Sequence, residues 1–138
     1  MLIMKKLLTF GVFDILHYGH VNLFRRSKEL TSTDNRLVVA VQDSDFILKF
    51  KPDTKIVNTL ENRLLMVGAI RYVDEVVVYK EVAEDIMNID FDILIKGPDQ
   101  NHPGFQKAVQ WCLDNGKEVV EVPRTEGISS SMLKNNMK

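Results

Sequence analysis

Short runs rich in Val, Ile and Leu recur at positions 6–10, 37–41, 76–79, 93–95 and 119–122, each bounded by Gly, Asp, Asn or Pro. Runs of that length without polar alternation predict strands covered on both faces, and therefore a parallel sheet. Longer segments with helical spacing separate them. A helix is expected over 20–30, with Val21 and Phe24 turned inward. A second, over 59–72, opens with Asn58 and Glu61 in the Asn-x-x-Glu form of a capping box and carries Leu60, Leu64, Val67 and Ile70 on one stripe. A short helix is expected over 81–88. Another, over 105–115, turns Phe105, Val109, Cys112 and Leu113 inward and stops at Gly116. Strand alternating with helix predicts an α/β chain with a doubly wound, five-stranded parallel sheet and helices on both faces. Ligands of such sheets collect beyond the carboxyl ends of the strands. The loops after Phe10, Lys96 and Val122 are therefore the places to search, and 43–57 reads as a long irregular stretch.

Composition narrows the function classes. With 138 residues, 45% of them hydrophobic and 27% charged, one globular domain over 1–138 is expected rather than a disordered chain. Eighteen basic against nineteen acidic side chains leave a net charge of −1, so no global field exists to hold a nucleic acid. Cys112 is the lone cysteine, which excludes an internal disulfide and a multi-cysteine metal centre and marks it as a core residue. The N-terminus has no apolar stretch long enough for a signal peptide or a membrane span, so a cytoplasmic protein without a membrane partner is expected.

Candidate chemistry begins directly after the first strand, where the chain reads Thr9-Phe10-Gly11-Val12-Phe13-Asp14-Ile15-Leu16-His17-Tyr18-Gly19-His20 and enters a helix. Isolated histidines are most often caps or satisfied core residues. Two that straddle Gly19 at a helix N-terminus instead add imidazole donors to exposed backbone N–H groups and the positive end of the dipole, a combination suited to phosphate. Gly11 and Gly19 let backbone approach the ligand. Zinc ligation by His17 and His20 lacks a third and fourth ligand at the right spacing, so no metal ligands are assigned. Further on, Lys49, Lys51 and Lys55 crowd a short segment, and Arg124-Thr125-Glu126-Gly127-Ile128-Ser129-Ser130-Ser131 combines a fixed cationic fork with a serine-rich helix start.

The first block, Gly-x-Phe-Asp-x-x-His-x-Gly-His after a strand, resembles the HxGH nucleotidyltransferases, which have a Rossmann-like domain. The second resembles the Arg-Thr-x-Gly-Ile-Ser-Thr-Thr signature of their cytidylyltransferase branch, and Arg71-Tyr72-Val73-Asp74-Glu75-Val76 resembles a third segment of that branch. The resemblance implies transfer of CMP from CTP to a small phosphorylated acceptor, with release of pyrophosphate. Glycerol 3-phosphate is the first choice of acceptor. It also implies catalytic roles for His17, His20, Lys51 and Arg124. Nucleotide contacts are implied for Thr9, Phe10, Gly11, Phe13, Gly19, Asp99, Arg124, Thr125, Gly127, Ile128, Ser129 and Ser130. Lys51, with Lys49 in reserve, and Arg63 would bind the acceptor. Mg2+ is implied on the triphosphate, with Asp14 as an outer partner, and the chain is implied to be a homodimer.

The segment Lys96-Gly97-Pro98-Asp99-Gln100 departs from the branch, which has Gly-Asp-Asp and then an aromatic residue. Asp99 is thus either a reader of the cytosine amine or a turn residue. Alternative readings are a sugar phosphate, phosphoethanolamine or a phosphorylated amino-acid derivative as acceptor, an adenylyltransferase of the same superfamily, and a nucleotide-binding module without catalysis.

Overall fold

The computed structural model describes residues 4–125, in which five parallel strands form one sheet: β1 (Lys5–Gly11), β2 (Asn35–Gln42), β3 (Glu75–Tyr79), β4 (Ile93–Lys96) and β5 (Glu118–Glu121). Their spatial order is β3-β2-β1-β4-β5. The chain steps outward from β1 to β3, then returns to the other side of β1 to lay down β4 and β5. The reversal between β1 and β4 opens a crevice at their carboxyl ends, where doubly wound sheets bind ligands. Five helices join the strands: α1 (Tyr18–Lys28), α2 (Ser44–Phe50), α3 (Leu60–Gly68), α4 (Val82–Asp85), which runs on into a 3-10 turn, and α5 (Pro103–Asp114).

Strand side chains alternate, so each strand feeds two cores. Leu7, Leu37, Val39, Val41, Ile93 and Ile95 pack on one face with Phe24 of α1 and Val67 of α3. Leu8, Val38, Ala40 and Leu94 pack on the other with Ile86 and with Phe105, Ala108 and Cys112 of α5. Cys112 is fully buried, as its place on the helix predicts. Gly116, at φ +72°, ends α5 in the left-handed conformation that favours glycine.

The structure corrects several sequence-based boundaries. Helix α1 starts at Tyr18, two residues before position 20, because His17 caps it. The Asn58–Glu61 box does not form. Thr59 caps α3 instead, accepting from the Asn62 amide at 3.1 Å, while the Asn58 side chain donates to the Asp14 carbonyl. The helix also ends at Gly68 rather than at 72. The segment 43–57 contains α2, which Asp43 caps by accepting from the Asp45 amide at 2.8 Å. Leu113 lies outward, 59% exposed, because α5 turns the 105, 108 and 112 positions to the sheet. Among the described residues no helix is long and apolar enough to cross a membrane.

Candidate active site

The Gly-x-Phe block builds the floor of the crevice. Phe13 sits at φ +53° and folds its ring back over Gly11, where a Cβ would come within 2.6 Å of the ring. Only glycine allows that approach. The same ring meets His20 edge-on at 5.2 Å and Phe24 at 5.5 Å, so the aromatic residue wedges the histidine helix against the core. Phe13 is buried and supports His20 as well as lining the crevice.

The two histidines cap α1 reciprocally. His17 Nδ1 accepts from the Gly19 amide at 3.0 Å, and His20 Nδ1 accepts from the His17 amide at 3.2 Å. Histidines thus fill the positions that a serine and a glutamate occupy in an ordinary capping box. An Nδ1 that accepts carries no proton, so both rings are the Nε2–H tautomer, and each keeps one N–H donor. The rings stack at 3.9 Å. Burial pushes His17 below the usual histidine range; burial and then the neighbouring His17 push His20 down to about 4. At neutral pH the site therefore holds two uncharged, backbone-anchored donors at the positive end of a helix.

Protonation would turn each Nδ1 into a donor and break its cap. The unfolded chain takes up these protons near pH 6.5, the folded chain only at lower pH, so stability rises with pH across this window. The contribution is complete above about pH 6.5 and lost as pH falls toward 4, at roughly 3 kcal/mol for His20. Thermal melts at pH 7 and 4.5 should show a larger drop for the wild type than for His20→Asn. Equal drops would contradict a buried neutral His20.

A cavity of about 320 Å³ brings the three searched loops together. It is lined by Phe10, Gly11, Phe13, His17, Gly19, His20, Asp99, Arg124 and Thr125 among the residues expected at the nucleotide. Thr9 is absent from this lining; it is buried within the sheet between Val39 and Ile95. Gly127, Ile128, Ser129 and Ser130 lie outside the described residues. Arg124 and Asp99 form an ion pair with each other across the mouth, so a ligand phosphate must compete with that carboxylate for the guanidinium. Sequence reasoning missed two supports. The Gln100 amide ties the loops together, donating to the Phe10 carbonyl at 2.8 Å and accepting from the Gly97 amide at 2.9 Å. Asn22 on α1 donates to Thr125 Oγ1 at 2.9 Å. A polar residue on the inner face of α1 was the available signal for Asn22.

The cations expected at the acceptor do not share this cavity. Lys51 lines a second one, of about 580 Å³, together with Val12, Gln42, Phe46, Thr54, Tyr79 and Lys80. Val12 belongs to both cavities and forms the wall between them. Lys49 lines neither and lies exposed on α2. Arg63 is a correction. It is fully buried, and its guanidinium donates to the carbonyls of Val12 at 2.9 Å, Gln42 at 2.8 Å and Asn58 at 3.2 Å, and to Ser44 Oγ. It fixes the wall and does not reach into either cavity. Tyr79 and Lys80 were legible only as the end of a strand, the position from which such sheets supply site residues.

Asp14 is likewise engaged structurally. Its carboxylate accepts from the Val57 and Asn58 amides at 2.8 and 2.7 Å, holding the chain that leads into α3. Among the described residues no group of three or more His, Cys, Asp or Glu could hold a metal ion.

Known proteins resemble this chain over most of its length. The cytidylyltransferase-like family model matches residues 8–136. Glycerol-3-phosphate cytidylyltransferase of Bacillus subtilis (strain 168) is 38% identical over 134 residues, covering 95% of each chain. The Staphylococcus aureus protein of the same name is 34% identical, covering 97% of this chain and 96% of that one. Bifunctional protein HldE of Escherichia coli (O1:K1 / APEC) is 35% identical over 92% of this chain but only 26% of its own length. A crystal structure of a lipopolysaccharide core biosynthesis protein from Thermoplasma volcanium GSS1 has the same fold, with a TM-score of 0.67 at 23% identity, over 88% of this chain and 96% of that one.

Proposed function

This chain belongs to the cytidylyltransferase-like family, and from that premise we propose that it transfers CMP from CTP to glycerol 3-phosphate and releases pyrophosphate. The observation that carries the reading is the wall shared at Val12, with neutral histidine donors on one side and Lys51 and Lys80 on the other. A reaction between two anions needs that division. Each must be neutralised separately, then brought into line.

In this account the nucleotide occupies the cavity at the β1/β4 switch point. His17 and His20 donate Nε2–H to the α-phosphoryl group as charge builds on it, and Arg124 leaves Asp99 for the outer phosphates. Residues 127–130 are proposed to complete that grip. Lys51 and Lys80 hold the acceptor phosphate. One of its oxygens attacks the α-phosphorus, the bond to the bridging oxygen breaks, and pyrophosphate departs with the electron pair. A phosphate monoester is largely dianionic at pH 7, since its second pKa lies near 6. The nucleophile therefore needs no base, which suits histidines held as donors.

Magnesium is proposed to arrive on the triphosphate as part of the substrate. As a hard cation it keeps waters and borrows phosphate oxygens, so a protein carboxylate cage is not required. Asp14, with both oxygens on backbone amides, is assigned to structure instead. A homodimer is proposed to form along the outer strand β3, where Val78 is 47% exposed.

Nucleotide choice tests this reading. Pyrophosphate release with glycerol 3-phosphate should favour CTP over ATP by about a hundredfold or more in kcat/KM, because a pocket in which Asp99 pairs with the cytosine amine leaves that carboxylate without its partner when another base is bound. Equal rates with ATP would move the chain to an adenylyltransferase.

A further inference from the structure

The second cavity contains two donors that phosphate binding by Lys51 and Lys80 does not use. Tyr79 is buried at the end of β3, its ring fixed edge-on against Phe10 at 4.8 Å. Burial pushes its phenol well above the usual tyrosine range, so the hydroxyl keeps its proton. His102 caps α5: its Nδ1 accepts from the Phe105 amide at 3.3 Å, and its ring stands edge-on to Phe105 at 5.2 Å. That bond places the proton on Nε2. Gly104 makes room for the ring, because a Cβ there would lie 3.0 Å from His102 Cε1 and 3.2 Å from Nδ1. The imidazole is thus seated by two neighbours, Phe105 through its amide and ring and Gly104 through its missing side chain, and His102 and Tyr79 both line the cavity. Nothing in the sequence block that resembles the cytidylyltransferases marks either one.

We propose that His102, seated by Gly104, is a specificity-determining residue of the acceptor site, and that its Nε2–H acts with the Tyr79 hydroxyl to take a hydroxyl of the acceptor's carbon chain. The inference rests on the reading of the second cavity as the acceptor site. It deepens that reading by specifying which side chains would hold the acceptor's carbon chain. Beyond the lysines that take the phosphate, the donors in this lining, the Tyr79 hydroxyl and the His102 Nε2–H, find an acceptor in a hydroxyl oxygen but none in an ammonium group, which has no lone pair.

The test compares glycerol 3-phosphate, its two monodeoxy analogues and phosphoethanolamine as acceptors with CTP. Wild type should favour glycerol 3-phosphate over at least one deoxy analogue by about tenfold or more in kcat/KM, and over phosphoethanolamine by more. His102→Asn keeps a helix-capping acceptor but withdraws the Nε2 donor. Gly104→Ala displaces the ring. Both should bring the hydroxyl-to-deoxy ratio to within about twofold of unity, chiefly through the acceptor KM, while the KM for CTP and the melting temperature stay near wild type. A ratio that survives in both variants, or a wild type that prefers phosphoethanolamine, overturns the inference but leaves the cytidylyl transfer standing. Absence of pyrophosphate release with every ester overturns the parent reading as well.

Discussion

Replacement of His17 or His20 by alanine should lower kcat/KM for pyrophosphate release by two or more orders of magnitude. Each ring is an uncharged donor whose direction is set by a backbone amide on its other nitrogen, at 3.0 and 3.2 Å. No reorganisation is needed when charge develops on the α-phosphoryl group, and a preorganised donor of this kind is worth roughly 3–4 kcal/mol in the transition state. The structural cost is smaller: losing the His17 cap should remove about 1 kcal/mol. His17→Asn separates the two effects, since asparagine can still accept from the helix N-terminus but cannot present Nε2–H. It should melt near wild type and still lose the rate. A variant of either histidine that keeps more than about a tenth of wild-type turnover would remove that residue from the catalytic set.

Arg63→Ala should cost the protein a large part of its stability. The guanidinium is inaccessible to solvent and satisfies three carbonyls, those of Val12, Gln42 and Asn58, that no water can reach once the side chain is gone without the wall opening. Each buried carbonyl left unpaired costs about 1–3 kcal/mol, so the loss is on the order of 5 kcal/mol against a total of roughly 5–15. Melting should fall by more than about 10 °C, or soluble protein should be lost altogether. Arg63→Lys should recover little, because one ammonium cannot span a fork of carbonyls coming from three chain segments. Normal melting with only a raised acceptor KM would contradict the structural role and return Arg63 to the acceptor site.

The fold was largely legible because its strands are short, apolar on both faces and punctuated by breakers, a pattern that Leu7 to Phe10 and Leu37 to Val41 show with no competing period. The cluster at the β1/β4 switch point was legible too, since His17, His20, Asp99 and Arg124 each follow a strand. What failed was finer. Arg63 carries the motif position of a ligand contact, and one-dimensional reading cannot tell an arginine that faces phosphate from one that faces carbonyls. Asn58 and Thr59 are both good caps, and the choice between them was made by Asp14, far off in sequence, which takes the Asn58 and Val57 amides. Helix α2 has only seven residues, Asp45 and Lys49 among them, too few to display a helical period. His102 and Tyr79 lie far apart in the chain and are joined only by packing, α5 lying against α4 and the Phe10 ring of β1 meeting both Tyr79 and Phe105.

The fate of the α-phosphorus distinguishes cytidylyl transfer from binding and from hydrolysis. Phosphorus NMR of the protein with magnesium, CTP and glycerol 3-phosphate should show the CTP signals replaced, one for one, by those of a diphosphate diester and of pyrophosphate, and no change when the acceptor is omitted. CTP that binds yet keeps its triphosphate signals with every phosphorylated acceptor, or that yields CMP whether or not an acceptor is present, would contradict cytidylyl transfer between the two cavities.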